Sequence, residues 1–76
     1  MIDIYDTDLG RVKLNPRHII CARLWKRDAG QGLRLCITTL NNWEFAEDFT
    51  DGVKANLRLQ EVEEAVDKAN GGPNES

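Results

Sequence analysis

Four groups of residues in this 76-residue chain are of types that could do chemistry. His18, Cys21 and Cys36 offer a histidine and two thiols, the donor types that hold zinc. Their spacing matches no zinc pattern, and both cysteines fall inside apolar strand-like runs, where a free thiol behaves as a small hydrophobe. A general base needs an orienting partner and a nucleophile or water to activate. His18 has no serine upstream, and the one serine is the terminal Ser76, so a solvated or turn-capping imidazole is the better reading. The acidic series Glu44, Glu47, Asp48 and Asp51 lacks the alternating ligands and closing glutamate of a calcium-binding hand. Glu61, Glu63 and Glu64 sit early in a helix, where the positive end of the dipole favours them. "GQG", Gly30 to Gly32, is too short for a phosphate loop and no helix follows it. These residues predict no catalytic site, no metal site and no cofactor.

Binding chemistry is better represented. Arg23, Trp25 and Arg27 alternate along one strand, and basic side chains interleaved with an aromatic ring make a stacking platform for single-stranded nucleic acid. With Lys26 and Arg34 they form the candidate nucleic-acid set. Against that reading, the net charge is -3 and the isoelectric point is near 5.0, whereas phosphate neutralisation normally supplies most non-specific affinity. The charge is split along the chain. Residues 1–34 carry seven basic groups against four aspartates (+3), and residues 35–76 carry three against nine acids (-6). Trp25, Leu40, Trp43 and Phe45 form the competing set, anchors for a protein partner, since aromatic side chains dominate interface energetics.

The elements that must position these groups follow from hydrophobic periodicity. Ile2 and Ile4 alternate with polar residues, "DTDLG" supplies a turn, and Val12 and Leu14 alternate in the next strand. Pro16 ends that strand. His18 to Arg27 reads as the longest strand, with Ile20, Ala22 and Leu24 on one face and Ile19, Cys21, Arg23 and Trp25 on the other. "DAGQG", Asp28 to Gly32, is a loop of hairpin length. Leu33, Leu35 and Ile37 share a face of the strand that follows. Asn41-Asn42 fits a two-residue turn, which would place Leu40 opposite Trp43, Thr38 opposite Phe45 and Cys36 opposite Glu47. Leu59, Val62, Val66 and Ala69 recur at helical spacing, with Asn56 a candidate N-cap and alternative starts nearer Asp51 or Gln60. Gly71-Gly72-Pro73 stops the helix.

The expected architecture is α+β, an antiparallel meander of four to five strands over residues 1–70 with a C-terminal helix on one face. Residues 71–76 are expected to form a disordered tail. The helix stripe matches the Leu33, Leu35 and Ile37 face, so Leu40, Trp43 and Phe45 are expected on an uncovered apolar face. A two-fold homodimer packing that face on its own copy would cover it, and a closed barrel is the alternative. No apolar run reaches the length of a spanning helix, and the sparse cysteines read as buried reduced thiols, so a cytoplasmic location without membrane insertion is expected.

The opening "MI-I", the glycine turn, "LNP" before an isoleucine strand, "TL-N" and a terminal "EV---V" resemble the small flagellar proteins of the FlbD/SwrD type. The matching residues are Met1, Ile2, Gly10, Leu14, Asn15, Pro16, Ile19, Thr39, Leu40, Asn42, Phe45, Glu61, Val62 and Val66. The insertion around "RDAGQG" and the Trp25/Trp43 pair depart from the pattern. The resemblance implies a small non-enzymatic accessory protein acting on a larger machine. Compact phage-encoded proteins that bind host enzymes such as RNA polymerase share this size and style.

Overall fold

The computed structural model describes residues 1–27 and 32–71. Five strands and one helix follow in order: β1 (Ile2–Asp6), β2 (Gly10–Leu14), a 3-10 turn (Pro16–His18), β3 (Ile19–Lys26), β4 (Leu33–Thr39), β5 (Glu44–Phe49) and α1 (Gly52–Ala69). All strand pairs are antiparallel, β1 with β2 in one sheet and β3-β4-β5 in a second. The α+β class and the strands-then-helix order are as expected. Residues 28–31, where most of the hairpin loop is expected, and 72–76, where most of the tail is expected, lie outside the described residues.

Local chemistry explains the turns. The Asp6 carboxylate accepts from the Asp8 and Leu9 amides, both at 2.9 Å, and Gly10 takes the positive φ (+76°) that closes the first hairpin. Asp51, not Asn56, caps the helix by accepting from the Val53 amide at 2.8 Å. The helix thus begins at Gly52, a residue that reads in sequence as a breaker. At the other end Gly71 (φ +92°) follows the last turn, and the Arg17 guanidinium donates to the Ala69 carbonyl.

The second hairpin differs from expectation. The Asn42 amide donates to the Thr39 carbonyl, the Thr39 amide donates to the Trp43 carbonyl, and Asn42 has φ +63°. Leu40, Asn41 and Asn42 therefore form a three-residue loop in which Asn42 takes the left-handed position. One added loop residue shifts the register by one and turns every β5 side chain over. Ile37 now faces Phe45, Leu35 faces Glu47 and Thr38 faces Glu44. Phe45 is 3% exposed and belongs to the core with Ile4, Ile19, Leu35, Ile37 and Val62. A bulge between Ile19 and Cys21 makes a second exchange. It buries Ile19 and leaves Ile20 exposed, the reverse of simple alternation.

Helix α1 lies across the three-stranded sheet, with Val62, Leu59 and Val66 against the core and Ala55 fully buried nearer its start. The β1–β2 hairpin guards one sheet edge. Asp6 accepts from the Ala46 amide at 2.8 Å, and the Thr7 amide donates to the Ala46 carbonyl at 2.9 Å. In this way β1 satisfies outward groups of β5 without forming a regular ladder with it.

Candidate protein-contact surface

The sheet face opposite α1 is a grid set by register. Cys21, Thr38 and Glu44 form one row, Arg23, Cys36 and Ala46 the next, and Trp25, Arg34 and Asp48 the third. Chemistry there is mostly polar. Arg34 grips Asp48 through two bonds, Nε to Oδ1 at 2.8 Å and Nη2 to Oδ2 at 3.2 Å, and Arg27 approaches the same carboxylate at 3.7 Å. The Arg34 hydrogen bonds hold the Asp48 carboxyl below its ordinary value, and the pair raises the Arg34 value in return. Arg23 lies over the Trp25 ring at 5.1 Å from its centroid, a cation–π contact that fixes both side chains. Trp25 remains 51% exposed.

Of the protein-contact set, Trp25 stands on this face. Leu40 and Trp43 lie at the tip of the β4–β5 hairpin, 61% and 62% exposed. Trp25 pairs with Arg34, six residues before Leu40, so tip and grid row are separated by roughly 20 Å at the usual strand rise. Phe45 is buried, and its ring supports Trp43 from beneath at a centroid distance of 6.2 Å. The continuous apolar face expected from a two-residue turn is therefore replaced by two separate features, a hairpin tip and a polar grid. The apolar reason for pairing the grid face on its own copy goes with it.

Of the nucleic-acid set, Arg23 and Arg34 share the grid. Lys26 pairs with Leu33 and turns to the helix side. Two of the arginines are already directed at Asp48, which lowers the positive potential available to phosphate.

Cys21 and Cys36 are free thiols, half-buried in the grid, where full burial was expected. Desolvation pushes the Cys36 thiol above its ordinary value, which disfavours the nucleophilic thiolate. His18 sits in the 3-10 turn, exposed, with its amide bonded to the Asn15 carbonyl. Among the described residues, no group of three or more histidine, cysteine or acidic side chains is arranged to hold a metal ion, and no helix is long and apolar enough to cross a membrane.

Among the described residues, one largely buried charged cluster escapes a reading of spacing. Glu47, 3% exposed, accepts from Arg58 Nε at 2.9 Å and Nη2 at 3.1 Å, and from the Tyr5 amide at 2.8 Å. Arg58 also donates to the Asp3 carbonyl and lies 3.6 Å from Glu61. The Glu47 hydrogen bond is the chief cause of the raised Arg58 value. The cluster ties α1 to β5 and β1, and with all partners satisfied it is a structural joint. Its signal in the sequence is Phe45 and Phe49 flanking Glu47 at period two, with Arg58 beside Leu59 and Val62 on the helix stripe.

Comparison of the chain with protein-family models, with curated proteins and with solved structures finds no match.

Proposed function

We propose that this chain is a small non-enzymatic protein-binding module that regulates or assists a larger assembly, such as a motor or a polymerase, by contact. The observation that carries this reading is the hairpin tip. Leu40 and Trp43 are held out of a core that has few large side chains to spare, and the Asn42 turn and the Phe45 ring beneath hold them there. A large exposed aromatic on a fixed support loses little freedom on binding, the property of an interface anchor. Trp25 supplies a second anchor on the grid face. The resemblance to FlbD/SwrD-type flagellar proteins points the same way, and the two free thiols agree with a reducing cytoplasm.

The test is capture from the native host by tagged wild type, Trp43→Glu and Trp25→Glu, each checked for fold by circular dichroism. A protein retained by wild type and lost from a folded Trp43→Glu supports the reading. Equal retention by all three overturns it.

The Arg23–Trp25 stack favours a second reading, a nucleic-acid-associated protein using Arg23, Arg27 and Arg34 with Lys26 at the margin. Retention on heparin that falls steeply with salt, and that Arg23→Glu abolishes, would support it.

A further inference from the structure

The outer edge of β3 is the part of the sheet that no other described element completes. Arg27 donates its amide to the Gly32 carbonyl, which fixes the alternation along the strand. Arg27, Trp25, Arg23 and Cys21 turn their backbone groups inward to β4. Lys26, Leu24 and Ala22 turn theirs outward. Among the described residues nothing pairs with those outward groups, whereas at the β5 edge Ala46 is paired with Asp6 and Thr7. The bulge at Ile19/Cys21 ends the regular edge on one side. The usable stretch is therefore Ala22 to Lys26, and its centre is Leu24.

We infer that this edge pairs with the β3 edge of a second copy of the chain, antiparallel and centred on Leu24, joining two three-stranded sheets into one. The inference stands independently of any heterologous partner at the hairpin tip. Centring on Leu24 sets Ala22 opposite Lys26 of the second copy, twice, with Leu24 opposite itself. All three pairs are of the closely spaced, doubly bonded kind, giving about six main-chain hydrogen bonds.

The side chains select this register. Beside Ala22 runs a groove between the β3 edge and α1, with Ile19, Val62 and Val66 in its floor and Glu63 and Asp67 on its rim. Among the described residues, Glu63, Asp67 and Lys26 form no ion pair in the single chain. The Leu24 register brings Lys26 of the second copy into that groove, its methylenes on the apolar floor and its ammonium at the two carboxylates. On the opposite face it sets Arg23 beside Trp25 of the second copy, extending the stack already present. Shifting the centre to Arg23 would set two arginines face to face, and shifting it to Trp25 would set Arg23 against Arg27. Both are like-charge contacts. Sterics agree, because α1 borders the groove at the Ile19–Ala22 end. An antiparallel partner lays there its Leu24–Lys26 end, which does not line that groove, and the two helices stand at opposite ends of the seam.

Charge exchange tests the pairing by sedimentation equilibrium, from micromolar to millimolar protein. Lys26, Glu63 and Asp67 are exposed in the single chain, so the variants keep the fold. Wild type should dimerise reversibly. Lys26→Glu alone, and Glu63→Lys with Asp67→Lys, should each weaken self-association roughly tenfold or more, since every seam contact becomes like-charged. Mixed in equal amounts, the two variants should form a heterodimer, because both contacts are then again opposite in sign. In parallel, hydrogen exchange at the Leu24 amide should slow with rising protein concentration, while the Trp25 amide, bonded to β4, stays protected throughout. A wild type that remains monomeric overturns the inference, whether its edge then stays open or takes up a foreign strand. A dimer indifferent to both charge variants, or variants that fail to recombine, overturns it equally.

Discussion

Replacing Arg58 by alanine tests the buried joint. The substitution strands the Glu47 carboxylate at 3% exposure with only the Tyr5 amide as donor. Breaking a buried pair from one side costs about 3–5 kcal/mol. A 76-residue domain has a total stability of roughly 4–11 kcal/mol, so the variant loses about a quarter of it or more. At about 1 kcal/mol per molar urea for a chain this small, the unfolding midpoint read by far-UV circular dichroism should fall by about 3 M. Glu47→Ala should cost less, because Arg58 lies near the surface and can turn toward Glu61. Replacing both residues by leucine removes both charges and should recover most of the loss. A drop of less than about 1 M for Arg58→Ala, or a double variant as weak as the single, would refute the reading of this cluster as a structural joint.

Three further outcomes follow from the register and the turns. Phe45→Ala should cost about 3–5 kcal/mol in urea unfolding, whereas Trp43→Ala at the exposed tip should stay within about 1 kcal/mol; equal costs would contradict the three-residue loop. Gly32→Ala should destabilise by more than about 2 kcal/mol, since φ is +82° there and an added Cβ would overlap the Phe49 carbonyl oxygen; a neutral effect would contradict the close approach. The Asp48 and Asp6 values are lowered, the first chiefly by the Arg34 hydrogen bond and the second chiefly by the Ala46 amide. Their contribution is complete above the unfolded aspartate value and is lost as the pH falls through the lowered native one. The stability gap between wild type and Asp48→Asn should therefore be largest at neutral pH and shrink as the pH falls below the ordinary aspartate range; a gap that ignores pH would contradict the ion pair.

Periodicity carried the strand order, the helix and its Val62–Val66 stripe, because those signals repeat over many residues. Single-residue events were not legible in it. Whether Asn41-Asn42 closes a two-residue turn or joins Leu40 in a three-residue loop depends on one dihedral at Asn42, and that dihedral decides which face Phe45 occupies. The bulge at Ile20 is likewise one extra residue, and it exchanges Ile19 for Ile20 in the core. The helix start was open between Asn56 and alternatives nearer Asp51 or Gln60, and the Asp51 side chain decides it. Of the candidate anchors, Trp25, Leu40 and Trp43 are exposed and Phe45 is not, so the candidate surface divides where the sequence suggested a single patch. Glu47 and Arg58 were missed because charge was read as surface. Their positions within apolar repeats mark a buried Glu47 and a half-buried Arg58 that pair with each other.

On the proposed reading another protein covers the hairpin tip at Leu40 and Trp43. Replacing Trp43 with a photo-crosslinking amino acid in the native host tests it most directly, with the same replacement at exposed Lys54 as the control. One defined protein, other than this chain, should be joined at position 43 and not at position 54. Crosslinks that are the same from both positions, or that reach only nucleic acid, would contradict it.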